Sequence, residues 1–363
     1  MQKIFKGIEH LGEALEGAAK VFLVCDSSFP FLSIKNDIER MDVPYVLFDQ
    51  FTPNPLYEDV CKGVSLFQQC QCDTILAVGG GSSLDVAKCV KLYCKMEKDQ
   101  LYLEQAYQDT GVKLIAIPTT AGTGSESTRY AVIYYDGKKQ SITHDSILPD
   151  IAILEPKVLK TLPLYQKKCT MMDALCQGIE SWWSVNSTDE SKALSKEAVE
   201  TIMRWWHEYL FDNTEMAAEQ IMYAANLAGQ AICITQTTAP HAFSYKMTSL
   251  FQLPHGHAVA LGLPEIWQFM VDHSNQCVDG RGQAYLAGVF EEIARAMGCE
   301  NPIEAIALFR RMLDEMELGK PVAGHREEAL QLLSTSVNPV RLKNNPVEID
   351  SVTAKNIYAS LVL

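Results

Sequence analysis

No stretch of this sequence is apolar for long enough to span a membrane, and its Lys and Arg residues do not gather into a basic tract. The balance runs the other way. Over 363 residues, 45 acidic side chains against 31 basic ones give a formal charge of -14. That argues against nucleic acid or an anionic membrane surface as a partner, and leaves room for a local basic pocket that takes a small anion. The 11 cysteines form no paired CxxC motif, and Cys70-Gln71-Cys72 is too close for ordinary zinc ligation. Met1-Gln2-Lys3-Ile4-Phe5-Lys6 is not followed by an apolar core, so no secretory signal is expected. Reduced thiols in a cytoplasmic protein are the corresponding expectation. Internal repeats and low-complexity segments do not stand out. What remains is a globular composition, 47% hydrophobic and 21% charged, long enough for two ordinary domains.

Strands alternate with helices in the first part of the chain. Segments 20–26, 45–49, 74–78, 114–118 and 150–154 are short apolar runs of the kind buried parallel strands show. Helical spacing occupies 31–40 and 57–69, and another helix opens after Gly81. Asp136-Gly137 lies between segments 131–135 and 140–143, a hairpin signal. After Leu162-Pro163 the texture changes. Apolar residues recur at three and four, which predicts helices near 166–183, 189–211, 215–233, 239–249, 256–272, 282–297, 302–316 and 325–334. The expected architecture is a parallel, Rossmann-like α/β domain over 1–162 and an all-helical domain over 163–363.

A parallel sheet binds ligands beyond the carboxyl ends of its strands. Asp49, the Gly79 turn and the loop from Thr119 all fall at such ends. Gly79-Gly80-Gly81 lets backbone N–H groups approach a ligand closely. Ser82 or Ser83 can cap the helix that follows, whose start attracts phosphate. Asp85 in its first turn is favoured by the helix dipole and suits a cap as well as a ligand contact. Asp49 can accept hydrogen bonds from ribose hydroxyls and would repel a 2′-phosphate, which favours NAD(H) over NADP(H). Thr119, Thr120, Thr123 and Ser125 offer four hydroxyls to phosphate or ribose.

In the helical half, Asp173 and Gln177 are four apart and share a helix face. His241 and His255 are fourteen apart, and His255 stands between Pro254 and Gly256-His257. Two imidazoles with a carboxylate suit a divalent metal that keeps a position open for a substrate oxygen. The same histidines also suit a buried role in which a carbonyl satisfies each ring.

Taken together, the motifs resemble those of the iron-type (group III) alcohol dehydrogenases, along nearly the whole chain. Gly79-Gly80-Gly81-Ser82-Ser83-Leu84-Asp85-Val86-Ala87-Lys88 is similar to the family's GGGSxxDxxK turn. Pro118-Thr119-Thr120-Ala121-Gly122-Thr123-Gly124-Ser125-Glu126 is similar to its PTTxGTGSE loop, and Phe51-Thr52-Pro53-Asn54-Pro55 to its xxPNP turn. The resemblance implies the dehydroquinate synthase-like, iron-type alcohol dehydrogenase fold. It implies cofactor contacts at Pro53 and Asn54, and at Lys139 from the hairpin. It also implies metal ligands at Asp173, His241 and His255. The family's first histidine, from a D-x-x-x-H helix turn, is Gln177 here, a poorer ligand for iron or zinc than imidazole. Such a site is weaker, selects a harder metal or stays empty. Tyr245 stands where many members carry a further histidine, and His257 can take that place. Either would assist proton transfer.

The reaction implied is metal-assisted reduction of a small aldehyde to a primary alcohol by NAD(P)H. The metal polarises the aldehyde oxygen, and the alkoxide takes its proton through water, Tyr245 or His257. Within the family, segments 173–177, 238–246 and 254–260 resemble the phosphonoacetaldehyde reductase branch, which makes 2-hydroxyethylphosphonate. A doubly charged phosphonate needs cations. Arg129 and Lys246 are the first candidates, with Arg341 and Lys343 behind them. The alternatives are a general alcohol or diol dehydrogenase of the same family, a dehydroquinate-synthase-like lyase, and a metal-free nucleotide-binding protein, the last motivated by Gln177. The expected partners are a small aldehyde or alcohol and further copies of the chain, as a homodimer or higher homo-oligomer.

Overall fold

The computed structural model describes residues 2–363. The chain divides into two compact units, the first ending at Leu162 and the second running from Pro163 to Leu363.

The first unit contains β1 (Lys3–Lys6), α1 (Leu11–Ala14), β2 (Val21–Cys25), α2 (Lys35–Glu39), β3 (Tyr45–Phe48), α3 (Tyr57–Gln69), β4 (Thr74–Gly79), α4 (Gly81–Tyr93) and β5 (Lys113–Pro118). The hairpin β6 (Tyr130–Tyr135) and β7 (Lys138–Thr143) and then β8 (Ile151–Leu154) complete it. Six strands form one parallel sheet in the order β1-β8-β5-β4-β2-β3. Every residue of β2 and β4 is buried, as expected of strands covered on both faces. Phe22, Phe48, Val60, Val64, Ile75 and Val90 meet in the core between the sheet, α3 and α4. The register pairs Cys25 with Val78 and Gly79 with Pro118, so the carboxyl ends of β2, β4 and β5 finish level.

The α/β reading is borne out, with local corrections. The helix expected over 31–40 is only the short α2, preceded by a single turn at Phe29–Phe31 that contains Pro30. Strand β1 went unread because only Phe5 of its four residues is buried. Lys3 and Lys6 mark it as a charged sheet edge.

The second unit is helical: α5 (Leu164–Trp183), α6 (Asp189–His207), α7 (Glu215–Thr235), α8 (Ala239–Phe251), α9 (His255–Asp272), α10 (Gln283–Ala296), α11 (Pro302–Glu315), α12 (Arg326–Thr335), α13 (Pro339–Leu342) and α14 (Ser351–Leu361). Helix α5 is buried on nearly all sides and packs against α6, α7, α9 and α10, which makes it the axis of the unit. The sequence reading stopped before α14. Its Asp350 cap, accepting from the Thr353 N–H, and its buried Ala354, Ile357, Tyr358 and Leu361 carry the ordinary helical signals. Among the described residues no helix is long and apolar enough to cross a membrane, and all 11 cysteines are free thiols.

Candidate nucleotide and metal sites

At the carboxyl edge of the sheet, β4 runs into Gly79, where a Cβ would lie 2.2 Å from Ser83 Oγ. Only glycine fits that turn. Helix α4 then starts at Gly81 with Gly80 as its N-cap, and no side chain caps it. The expected serine cap is therefore corrected. Ser83 donates to Asp26 Oδ2 (2.9 Å), and Ser82 Oγ accepts from the Asn54 N–H (3.2 Å). An uncapped first turn presents amide donors that suit an anion. This is the observation that fits the turn to a dinucleotide's phosphates.

The other expected nucleotide contacts gather round this turn. Asn54 has φ 58° and brings the Pro53 turn against Ser82. A Cβ on Gly80 would meet Thr120 at 3.7 Å, and one on Gly81 would meet Thr123 at 3.1 Å. The Thr119 N–H donates to the Gly79 carbonyl (3.0 Å). Asp49 is exposed just past β3. It lies close enough to Cys25 that burial, Asp26 and Asp49 together push that thiol up to about 12.

Asp85 and Ser125 have a different task from the one expected. Asp85 accepts from the Val132 N–H (3.1 Å) and from Ser125 Oγ (3.2 Å). Lys88 is fully buried and donates to Ser125 Oγ (2.9 Å), Thr128 Oγ1 (3.2 Å) and the Tyr130 carbonyl (2.7 Å). Burial raises Asp85 to about 6, against the pull of Lys88, those hydrogen bonds and Lys139. The network pins the hydroxyl loop to α4, so both residues shape the cradle from behind. Arg129 is also corrected as a substrate cation, since its guanidinium pairs with Asp145 at 2.7 Å.

In the helical unit, α5, α8 and α9 each supply a metal-ligating candidate. Asp173 lies mid-way along α5, His241 in the first turn of α8 after Pro240, and His255 first in α9. The packing that joins them turns on Gly256. A Cβ there would sit 1.9 Å from the Cys169 carbonyl oxygen and 2.8 Å from Asp173 Cβ. Glycine alone lets α9 press onto α5 and sets His255 beside Asp173. One donor atom from each of Asp173, His241 and His255 lies within 4.8 Å of the others.

Glu180, fully buried two turns after Asp173 on α5, was not foreseen. Its Oε1 lies 2.5 Å from His241 Nδ1, and its Oε2 accepts from the Thr238 N–H (2.7 Å) and Thr238 Oγ1 (2.9 Å). A carboxylate at Nδ1 keeps the proton there and leaves the Nε2 lone pair for a ligand. That Nε2 faces Asp173 Oδ1 at 3.3 Å in a buried site. Two electron-rich atoms so placed require a cation between them or a second proton on the ring. The donor set fits a divalent ion on that ground. With protons alone, burial opposes a charge on His241, but Glu180 and Asp173 overcome it and raise the ring to about 9. Burial likewise opposes the Asp173 charge, while His241, His255 and the Gln177 amide hold its carboxyl below the usual range.

Gln177, expected as a ligand, hydrogen-bonds the Asp173 carboxyl through its side chain, which places it at the metal-ligand cluster. His257 is corrected as a proton carrier. Its Nδ1 lies 2.9 Å from the Tyr165 hydroxyl and its Nε2 3.0 Å from the Gly319 carbonyl oxygen, so the fold itself uses both ring nitrogens. Tyr245 remains at the site, its ring stacked on His255 with centroids 5.9 Å apart and planes 11° apart. The signal for Glu180 was legible in principle, since a carboxylate seven residues after Asp173 falls on the same helix face as Asp173 and Gln177. Asp26, at the end of β2 beside the glycine turn, could be found by the same strand-end argument that found Asp49.

Residues 4–156 match the family model of the iron-containing alcohol dehydrogenases, and residues 168–362 match the C-terminal model of the Fe-containing alcohol dehydrogenase family. The chain is 29% identical over 346 residues to aldehyde-alcohol dehydrogenase 2 of Entamoeba histolytica, covering 88% of this chain and only 40% of that protein. It is 30% identical over 293 residues to a phosphonoacetaldehyde reductase of Streptomyces viridochromogenes, covering 77% of this chain and 73% of that one. The crystal structure of sulfoacetaldehyde reductase from Bifidobacterium kashiwanohense in complex with NAD+ superposes with a TM-score of 0.86 at 26% identity, covering 99% of this chain and 96% of that one.

Proposed function

The chain belongs to the iron-containing alcohol dehydrogenase family, and from that membership we propose that it reduces a short aldehyde to a primary alcohol, with NADH as donor and a divalent metal as helper. The carrying observation is the convergence of Asp173, His241 and His255 within 4.8 Å, with Glu180 fixing the His241 ring. The uncapped glycine turn supports a dinucleotide's pyrophosphate, and the Asp49 carboxylate supports NAD(H) over NADP(H).

Asp173, His241 and His255 would hold the ion. An oxygen and two imidazole nitrogens suit Fe or Zn. When bound, the ion supplies Lewis-acid polarisation of a carbonyl oxygen and the nicotinamide supplies a hydride. The chain's own groups do the rest. Glu180 holds the proton on His241 Nδ1, and Gln177 hydrogen-bonds Asp173. Burial of Asp173 and His241 excludes water from the charges. Burial also keeps the Tyr245 phenol protonated, against the charge and hydrogen bond of Arg341. Its hydroxyl therefore holds a proton one ring away from His255.

For the aldehyde, we take phosphonoacetaldehyde as the leading candidate. The resemblance to a phosphonoacetaldehyde reductase at 30% identity supports it, as does the cationic Arg341 beside Tyr245 in the metal-binding unit. Free thiols throughout favour a reducing compartment, the cytoplasm.

The test is a panel of aldehydes, charged and uncharged, each with NADH and NADPH, following loss of cofactor absorbance alongside elemental analysis of the protein. NADH consumed in proportion to phosphonoacetaldehyde, with about one Fe or Zn per chain, is the expected result. A fully active protein free of metal would sink the metal reading, and no stoichiometric oxidation with any aldehyde would sink the reductase reading.

A further inference from the structure

Four cationic side chains were candidates for an anionic substrate, and the structure separates them. Arg129 is spoken for by Asp145. Lys343 is exposed. Lys246 follows Tyr245 on α8, and adjacent residues of a helix point about 100° apart, so Lys246 leaves the face on which His241 and Tyr245 stand. Arg341 is placed otherwise.

Arg341 lies on α13, and both ends of that turn are fastened. The Asn338 side chain accepts from the Val340 N–H (2.9 Å) and the Arg341 N–H (3.2 Å). After the turn, Asn344 Nδ2 donates to the Thr237 carbonyl (2.9 Å), and the Asn344 carbonyl accepts from the Val185 N–H (3.1 Å). The turn is thus tied to the residue two before α8 and to the residue two after α5. Those helices carry His241 and Asp173. From this position the Arg341 side chain hydrogen-bonds the Tyr245 hydroxyl, whose ring stacks on His255. Metal-ligating imidazole, phenol and guanidinium therefore stand in a row.

Resting on the reading of a short aldehyde as substrate, we propose that Arg341 binds an oxyanion carried on the carbon next to the aldehyde group. A carbonyl oxygen turned toward the Asp173, His241 and His255 donors puts such a group beside the Tyr245 phenol. A planar guanidinium meets two oxygens of a phosphonate or sulfonate at once, which a lysine ammonium does not. The substrate class is a two-carbon aldehyde with a tetrahedral anionic end. Tyr245 holds the guanidinium in line with the metal ligands.

The test compares phosphonoacetaldehyde, sulfoacetaldehyde and propanal with the wild type and with Arg341→Ala, Arg341→Met and Arg341→Lys, in metal-loaded protein with NADH. Methylphosphonate and methanesulfonate serve as inhibitors that report binding without turnover. The wild type should prefer one or both anionic aldehydes. Arg341→Ala and Arg341→Met should lower kcat/KM for the preferred anionic aldehyde by about 100-fold, mainly through KM, and weaken the matching inhibitor as much. Propanal has no oxyanion and should lose far less, its loss being only what the altered Tyr245 phenol costs and showing in kcat rather than KM, and Arg341→Lys should restore part of the loss. Equal losses for propanal and the anionic aldehydes, or no loss for either, overturn the assignment of Arg341 while the substrate reading stands. A wild type that does not prefer an anionic aldehyde overturns the substrate reading itself, and the assignment with it.

Discussion

Replacing Glu180 with glutamine should disable the metal site while leaving its ligands in place. The reasoning follows from which atoms accept. In the native chain Glu180 Oε2 takes two hydrogen bonds, from the Thr238 N–H at 2.7 Å and from Thr238 Oγ1 at 2.9 Å, while Oε1 faces His241 Nδ1 at 2.5 Å. The Thr238 hydroxyl also accepts from Trp183 Nε1 at 2.8 Å, which directs its own proton toward Glu180. A glutamine has one carbonyl oxygen and one NH2 group. The backbone N–H of Thr238 demands the oxygen, so the NH2 group must face His241. A donor at Nδ1 moves the ring proton to Nε2 and aims an N–H at the ion. Loss of such a supporting partner weakens metal binding by about 10- to 100-fold, or about 1.4 to 2.7 kcal/mol. The assay is competition for Zn2+ between chelator-stripped protein and a chromophoric chelator. The Co2+-loaded absorption spectrum then reports the ligand geometry. Wild-type Zn2+ affinity and an unchanged Co2+ spectrum in Glu180→Gln would refute the tautomer argument, provided His241→Ala loses the metal in the same assay.

Three more outcomes follow from named contacts. Gly256→Ala places a Cβ 1.9 Å from the Cys169 carbonyl. It should cost about 1–3 kcal/mol or more and release metal, read by thermal unfolding and elemental analysis; a metal-replete variant of normal stability would contradict the packing account. Asp49→Gly should raise the use of NADPH relative to NADH, and an unchanged ratio of kcat/KM values would remove Asp49 from the ribose site. Burial, opposed by the Gly319 carbonyl, lowers the His257 pKa from its ordinary 6.5. Its contribution to stability is therefore present above about pH 6.5 and lost as pH falls through the lowered value. His257→Asn should flatten that acid-side loss in denaturant titrations and leave metal content intact, whereas loss of metal would return His257 to the site.

The fold was legible because each class of element carries its own period. Buried strands such as β4 read as continuous apolar runs, and the change to spacing of three and four after Leu162 marks the helical unit. The glycine turn and the threonine loop were legible because phosphate binding needs uncommon residues at strand ends, whereas Asn54 entered only through the family resemblance. The errors fall where a side chain's partner is distant in sequence. Ser83 is 57 residues from Asp26, and Glu180 is 61 residues from His241. Spacing along one helix shows which face a residue takes and says nothing of what packs on it. His257 misled for the same reason, since its partners Tyr165 and Gly319 lie 92 and 62 residues away. Arg341 was ranked low because α13 is a single turn whose place depends on Asn338 and Asn344.

Helices α5 and α9 meet at Gly256, α5 and α8 are joined through Glu180 and His241, and an ion held by Asp173, His241 and His255 would act as a reversible cross-link among all three. It ties the middle of α5 to the starts of α8 and α9, closing loops that the unfolded chain would leave open. Because only the folded helical unit brings the donors together, its stability rises with the logarithm of free metal above the dissociation constant. With the ion bound as proposed, metal supply would then set the lifetime of the folded chain. A chelated cell would hold less of the folded chain, and the helical unit would be the first part exposed to proteolysis.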